Sequence, residues 1–147
     1  MNNESKTKSK RKKREKVDPN HYIDNKEFTA ATIEYVEKSR EAAAKGEDSP
    51  IVSEYIGECI VKIAERTASR HNFRDYTYRD EMVSEGIISC LRAVGNFNFE
   101  KSNNAFAYFT TICWWAFVRK INEEEKRLYN KYSLARKQLL YDLPEED

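Results

Sequence analysis

The stretch FAYFTTICWWAFVRK, residues 106–120, has the apolar spacing of an amphipathic helix and contains two adjacent tryptophans. A helical turn takes about 3.6 residues, so neighbouring side chains point about 100° apart. On this wheel one stripe is apolar and wide enough to face a core. Its members are Phe106, Phe109, Cys113, Ala116 and Phe117. Trp114 falls on the flank of the stripe, whereas Trp115 points away from it.

The face opposite this stripe combines aromatic, amide and basic side chains. They are Tyr108, Trp115, Arg119, Asn122 and Lys126. Exposed aromatic rings stack on unpaired bases, and cations bind phosphates. We therefore interpret the helix as a nucleic-acid-binding element. The alternative is that Trp115 packs against another helix or against a protein partner.

The composition of the whole chain favours an all-α fold. The 147 residues include only 4 Gly and 3 Pro, and 35% are charged, which suits one helical domain with a modest core. No segment alternates apolar and polar residues over a useful length, so we expect no sheet. We predict a compact helical bundle over 21–132, a disordered basic tail over 1–20, and a hydrophobic-acidic tail over 133–147.

Capping and helix-breaking residues predict five helices. They run over 27–45 up to Gly46, from Ser49–Pro50 to about 70, from a capping box of Thr77 and Asp80 to Gly95, from Asn103 or Asn104 to about Tyr129, and over 133–143 before Pro144. The last of these, SLARKQLLYDL, is a short amphipathic C-terminal helix.

Charge is segregated along the chain although the net charge is only +1. Counting Lys and Arg against Asp and Glu gives +6 for residues 1–16, −6 for 17–100, +5 for 101–137 and −4 for 138–147. Blocks of alternating sign indicate partners of different charge along the chain. The first block has no apolar residue after Met1, so it is either a solubilising tail or a segment attracted to nucleic acid phosphates.

Several classes of protein are disfavoured by what the sequence contains. The three cysteines, Cys59, Cys90 and Cys113, lie among apolar neighbours and are interpreted as buried free thiols, and two histidines are too few for a zinc site. No apolar run is long enough to span a membrane, and no signal peptide is visible, so we expect a cytoplasmic protein. The sequence shows no glycine-rich phosphate-binding loop and no nucleophile–base pair, so we expect neither an enzyme nor a cofactor.

Two stretches, in this order, resemble region 2 of bacterial sigma factors. EMVSEGIISCLRAVGNFNFEK, residues 81–101, is similar to the pattern D-L-I-Q-E-G-x-I-G-L-x-x-A-V-x-x-F-D. The ungapped matches are Glu85, Gly86, Ile88, Ala93, Val94 and Phe97. AFAYFTTICWWAFVRKI, after a short loop, is similar to the helix F-S-T-Y-A-x-W-W-I-R-Q. The likeness covers about residues 55–127 and looks nearest to the small late-transcription sigma factors of T-even-type bacteriophages.

The resemblance implies a fold, a function and partners. The fold is the sigma region 2 helical bundle over 21–132. The function is to bind the core RNA polymerase of the host bacterium, to recognise an A/T-rich, −10-like promoter element and to melt it. Such factors lack the −35-binding domain, for which this chain has no room, and a co-activator would replace it. The expected location is the cytoplasm of the infected bacterial host.

The resemblance also implies three sets of binding residues. The clamp helices of the polymerase would contact Glu81, Ser84, Glu85, Ile87 and Leu91. Promoter DNA would contact Tyr108, Phe109, Trp114, Trp115, Arg119, Asn122, Lys126 and Arg127. The phage sliding clamp would bind Leu139, Leu140, Tyr141 and Leu143.

Two questions stay open at this level. Aligning the loop sets Phe106 and Phe109 on the family's phenylalanine and tyrosine, whereas aligning the tryptophans sets Thr111 on the base-stacking tyrosine. The function also has alternatives: a polymerase-binding regulator (co-activator or anti-sigma) that does not read DNA, or a helical module that binds duplex DNA without polymerase.

Overall fold

The computed structural model describes residues 22–143, and within them the chain forms four α-helices, one short 3₁₀ turn and no strand. The elements are α1 (Asn25–Ala44), α2 (Glu54–Ala68), α3 (Arg79–Ala93), a 3₁₀ turn (Val94–Asn96) and α4 (Ala105–Tyr141). The prediction of a compact all-α fold is confirmed. The tail predicted over 1–20 lies outside the described residues, as does Pro144.

The first two helices begin at capping side chains. Asp24 accepts hydrogen bonds from the backbone N–H groups of Lys26 and Glu27, and α1 is followed by Gly46 at φ 71°. The predicted start of α2 at Ser49–Pro50 is wrong, because Ser53 is the residue whose hydroxyl caps the helix. Tertiary contacts explain the shift, since the Tyr35 hydroxyl donates to the Pro50 carbonyl and the Ser49 hydroxyl pairs with Ser39 on α1.

The start of α3 also differs from the prediction. The capping box of Thr77 and Asp80 does not form, because α3 begins at Arg79 without any side-chain cap. The Arg79 guanidinium instead donates to the Ala68 carbonyl and the Ser69 hydroxyl at the end of α2. These bonds tie the start of α3 to α2. Gly95 lies in the 3₁₀ turn that follows α3, close to the predicted end.

The last helix, α4, is a single element of 37 residues capped by Asn104, one of the two predicted caps. Both the predicted end near Tyr129 and the separate C-terminal helix over 133–143 are wrong. No Gly or Pro occurs between residues 105 and 143, so nothing interrupts the backbone hydrogen bonds of the helix. The predicted boundary between 132 and 133 therefore falls inside α4.

The core lies where the first half of α4 packs on α1, α2 and α3. The predicted apolar stripe is buried at Phe109, Cys113, Ala116 and Phe117 and half-buried at Phe106. Between residues 122 and 143 only Glu124 and Ser133 are half-buried, so the rest of α4 projects from the bundle. The bundle thus presents one long helix whose first half is core and whose second half is surface.

Candidate nucleic-acid interface

The two tryptophans have different environments, as the helical wheel predicts. The ring of Trp114 is half-buried and packs edge-on against Phe73, with 4.8 Å between the ring centroids. The guanidinium of Arg70 lies 5.9 Å from the Trp114 ring. Trp115 is 58% exposed. Trp114 therefore serves the fold, and Trp115 is the tryptophan that is free to stack on a ligand.

The structure corrects the assignment of two other aromatic residues. Phe109 is fully buried, with its ring centroid 5.4 Å from that of Phe28, so it is not accessible to DNA. Tyr108 is half-buried, and its hydroxyl donates a hydrogen bond to the Ala93 carbonyl at 3.0 Å. Burial raises the pKa of this phenol. Tyr108 therefore packs on Phe97 rather than standing free beside Trp115.

The ring of Tyr108 forms one wall of a pocket that sequence reasoning missed. The pocket, of about 430 Å³, lies between the first two turns of α4 and the loop before it. Its lining is Asn96, Phe97, Asn98, Lys101, Ser102, Asn104, Ala107, Tyr108, Thr111 and Ile112. Amide and hydroxyl groups beside aromatic rings are suited to hydrogen-bond and stack a flat polar ring. The asparagine-rich loop NFNFEKSNN is the sequence signal that could have indicated it.

Local hydrogen bonds hold the loop of this pocket in shape. The Asn98 side chain accepts from the Glu100 N–H at 3.0 Å, and the Ser102 hydroxyl accepts from the Asn104 N–H at 3.2 Å. Asn104 caps α4 and also accepts from the Asn25 side chain on α1. The loop is therefore ordered by contacts that a ligand does not have to supply, which lowers the entropic cost of binding.

The polar face of α4 continues from this pocket toward the C-terminus. Thr111, Trp115 and Arg119 follow one another at four-residue intervals and are all exposed. The Arg119 guanidinium donates to the Ser89 hydroxyl on α3 at 3.3 Å, which steadies the cation without burying it. Asn122 and Lys126 extend the same exposed face. The pocket, the indole and the cations thus form one surface, called here the α4 face.

Two other cations of α4 are engaged in ion pairs. Lys120 lies 3.1 Å from Glu81 of α3 and 3.2 Å from Glu124, and its side chain is only 12% exposed. These hydrogen-bonded carboxylates, Glu81 first, raise the pKa of Lys120. Arg127 pairs with Glu124 at 3.3 Å while remaining largely exposed. Of the predicted DNA cations, Arg127 is thus partly neutralised, whereas no ion pair within residues 22–143 is found for Lys126.

The residues predicted to contact the polymerase lie on the outer side of α3. Ser84 and Glu85 are exposed, and Leu91 is 40% exposed. Ile87 is half-buried against the core, so it offers little surface to a partner. Ile88, which sequence reasoning did not select, is 42% exposed. At 100° per residue it lies about 60° from Glu85, and the exposed Arg92 lies about 20° from Glu85, so the outer surface of α3 combines apolar and charged side chains.

A groove of about 620 Å³ adjoins this surface between α2 and α3. Val61 and Leu91 contribute apolar side chains to its lining, which also includes Glu54, Glu58 and Lys62. The backbone at Gly57 opens onto the groove, and a Cβ added there would meet no atom within 4 Å. The groove and the outer side of α3 together form what we call the acidic face.

The residues predicted to bind the sliding clamp lie at the end of α4. Leu139, Leu140 and Tyr141 occupy the last turn, with Leu143 just beyond it, and all four are more than 60% exposed. Because neighbouring helical side chains diverge by about 100°, Leu139 and Leu140 point to different sides of the helix. The acidic residues 145–147 lie outside the described part of the chain.

Other classes of site receive no support within residues 22–143. No group of three or more His, Cys, Asp or Glu side chains there is arranged to hold a metal ion. The three cysteines are buried and free, as predicted, and the Cys90 and Cys113 sulfurs lie 3.4 Å apart. No helix in this range is long and apolar enough to cross a membrane.

Compared with models of protein families and with curated proteins, the chain matches none.

Proposed function

We propose that this chain is a sigma-type promoter-recognition factor that binds bacterial core RNA polymerase through the acidic face and an A/T-rich, −10-like DNA element through the α4 face. The observation that carries the proposal is the arrangement of the α4 face. An exposed indole, Trp115, lies one turn beyond Thr111 in the lining of the pocket and one turn before a cation, Arg119. This order of groups is suited to a single strand that has left its duplex.

The chemistry of promoter opening fits these groups. Stacking on an aromatic side chain is worth about 1–3 kcal/mol per base, which offsets part of the cost of unstacking. The pocket at Tyr108 supplies amide and hydroxyl groups for the edge of a base. Arg119 and Lys126 are positioned to bind phosphates beside that base. The factor would thereby trap separated bases, while the polymerase would supply the phosphodiester chemistry.

The acidic face is suited to a different partner. Glu85 and Leu91 on α3, with Val61 across the groove on α2, combine carboxylates with exposed apolar side chains. A protein element that carries both cations and apolar side chains would complement such a surface. The clamp helices of the polymerase's largest subunit are the proposed element. Because this face repels DNA phosphates, the free factor would bind duplex DNA weakly.

The finer proposal is a phage late-transcription factor in the cytoplasm of an infected bacterium. It rests on the resemblance of residues 55–127 and on the exposed leucines at the end of α4, such as Leu139. A phage sliding clamp would bind this end, and a co-activator would take the role of a −35-binding domain.

The decisive experiment is in vitro transcription with bacterial core polymerase on templates that carry an A/T-rich −10 element and no −35 element. We expect transcription and permanganate-reactive thymines at that element only when the protein is present. A matched template with a G/C-rich −10 element is the control. Equal transcription from both templates, or none from either, would contradict the proposal.

A second candidate function is a polymerase-binding regulator that does not read DNA. The observation that favours it is that the groove at Gly57 and Val61 lies on α2 and α3 and needs no residue of the α4 face. A regulator would bind core polymerase with the same affinity but leave the −10 thymines unreactive. The permanganate assay therefore separates the two candidates.

A further inference from the structure

A row of glutamates runs along the exposed side of α2 beside the groove. At 100° per residue, Glu54, Glu58 and Glu65 fall within about 40° of one another, and Val61 lies about 20° from Glu54. All four side chains are exposed and line the groove. Within residues 22–143, no ion pair is found for Glu54 or Glu58. The carboxylates of these two residues are therefore accessible to cations.

The start of α1 lies close to the first turn of α2, where this row begins. Burial raises the pKa of the Tyr55 phenol on α2, and the nearby carboxylates of Glu27 and Asp24 at the start of α1 contribute to the shift. Ile23 packs on the core directly before the capping residue Asp24. The chain that precedes α1 therefore joins the bundle beside Glu54, the residue before Tyr55.

The N-terminal segment, which lies outside the described part of the chain, has the opposite charge. Residues 1–16 carry eight Lys and Arg against two Glu, and residues 10–14 are five consecutive cations. The charge of +5 over 101–137 repels this segment from α4, whereas the carboxylates of α2 attract it. The link of residues 17–22 spans up to about 20 Å, and a helix is about 10–12 Å in diameter. The cations can therefore reach the glutamates of α2.

Lysine and arginine side chains are suited to both kinds of group in the groove. Their aliphatic stems cover apolar surface, here at Val61 and Leu91, while their charged ends stay in water. Glu54 and Glu58, about 6 Å apart along the helix axis, supply the opposite charge. Each exposed ion pair contributes about 0–1 kcal/mol, but a tether gives an effective concentration in about the mM range. The contact is therefore weak, reversible and displaceable by a protein partner.

We propose that residues 6–16 of the free protein bind the groove between α2 and α3, with their cations paired to Glu54 and Glu58, and that core polymerase displaces them when it binds the acidic face. The contact concerns this chain alone, whereas the competition with polymerase rests on the proposed function. The segment thus lowers the affinity of the free protein for a partner of the acidic face. Because exposed charges make the contact, it weakens as salt rises.

The contact is tested by paramagnetic relaxation in the full chain without any partner. A nitroxide is attached to the new thiol of Ser9→Cys, because the three native cysteines are buried. We expect broadened amide signals for residues 54–62 at low salt, and their recovery at about 1 M salt, where the Debye length is about 3 Å. Residues 130–138, at the basic projecting end of α4, should keep their signals.

The matched control combines Glu54→Gln with Glu58→Gln in the labelled chain, which removes the two charges and keeps the size of the side chains. We expect the signals of residues 54–62 to stay sharp in this control. Sharp signals in the parent at low salt, or equal broadening in parent and control, would overturn the inference.

The competition is tested by the affinity of the full chain for core polymerase. Replacing the five cations of residues 10–14 with glutamine should raise this affinity about three- to tenfold at low salt, since each lost ion pair is worth up to about 1 kcal/mol. Exchanging Lys for Arg and Arg for Lys at the same five positions keeps the charge and should leave the affinity unchanged. A lower affinity of the glutamine variant would assign the segment to the polymerase and overturn the competition. If the parent does not bind polymerase at all, the proposed function fails, whereas the relaxation experiment still decides the contact.

Discussion

Gly86 of α3 lies so close to Phe117 of α4 that a Cβ added to the glycine would be 2.7 Å from Cε1 of the phenylalanine ring. Phe117 is fully buried, so the ring has little room to move. The Cys113 sulfur would be 3.5 Å from the same Cβ. The glycine in the EG pair of residues 85–86 is therefore needed where the helix of the acidic face crosses the helix of the α4 face.

We expect Gly86→Ala to lower the free energy of unfolding. Overpacking a core costs about 1–3 kcal/mol, and the better helix propensity of alanine returns up to about 1 kcal/mol. The matched control is Gly57→Ala, since a Cβ at Gly57 meets no atom within 4 Å. That substitution should stabilise the protein by about 0.5–1 kcal/mol. Urea denaturation measures the free energy of unfolding of both variants. Changes of the same sign in Gly86→Ala and Gly57→Ala would contradict the close approach of Gly86 to Phe117.

Substituting the two tryptophans separately should distinguish the residue that stabilises the fold from the residue that acts in DNA opening. Trp115→Ala should change the unfolding free energy by no more than about 0.5 kcal/mol, because the indole is exposed. It should also reduce the permanganate reactivity of the −10 thymines in the polymerase complex. Trp114→Ala should cost about 2 kcal/mol or more, since the ring packs on Phe73. Parent-like thymine reactivity in Trp115→Ala would remove Trp115 from the DNA surface.

The acidic face is tested by Glu85→Lys. The new cation would meet a basic polymerase element, and like charges in contact cost several kcal/mol, so affinity for core polymerase should fall at least about tenfold. Stability should be unaffected because Glu85 is exposed. Glu47→Lys makes the same change of charge in the exposed loop between α1 and α2 and serves as the control. Equal affinities of the two variants in a pull-down would reject the docking assignment.

The ion pairs of Lys120 make the stability of the protein depend on pH. Because Glu81 and Glu124 raise the pKa of Lys120, its ionic contribution to stability is fully present below the ordinary lysine value of about 10.4. It is lost as the pH rises through the raised value. Lys120→Met keeps much of the aliphatic volume and should melt at a lower temperature than the parent at pH 7 to 9, with a difference that shrinks above about pH 10.4. A difference that grows at high pH would contradict this account.

Deleting residues 139–147 tests the assignment of the C-terminus. The deletion removes only the last turn of α4 and the residues beyond it, none of which is buried among those described. Basal transcription with core polymerase should therefore remain, while stimulation by a phage sliding clamp should be lost. The matched control replaces Leu134, an exposed leucine before this segment, with alanine. Full stimulation of the truncated protein would assign the clamp contact elsewhere.

Sequence periodicity predicted those features that depend on a single helix. The split of Trp114 from Trp115 follows from the turn of the helix, as does the burial of Cys113 and Phe117. The caps at Gly46 and Asn104 were also predictable, because each depends on the chemistry of a residue within one turn of the helix end.

Features that join distant parts of the chain were not predictable in this way. The pocket exists because the loop before α4 folds back on Tyr108, and Tyr108 is held there by a bond to the Ala93 carbonyl. The start of α2 moved to Ser53 because Tyr35 holds Pro50 in place. Each of these outcomes depends on an atom that lies far away in sequence.

The all-α fold class, the apolar side of the long helix, and the separation of acidic and basic segments thus follow from the order of the amino acids alone. Packing between distant parts of the chain set the hydrogen bond from Tyr108 to Ala93, the pocket beside it, and the close crossing at Gly86. The physical reason is that helical periodicity is a local property, whereas burial and close packing depend on which helices meet in space.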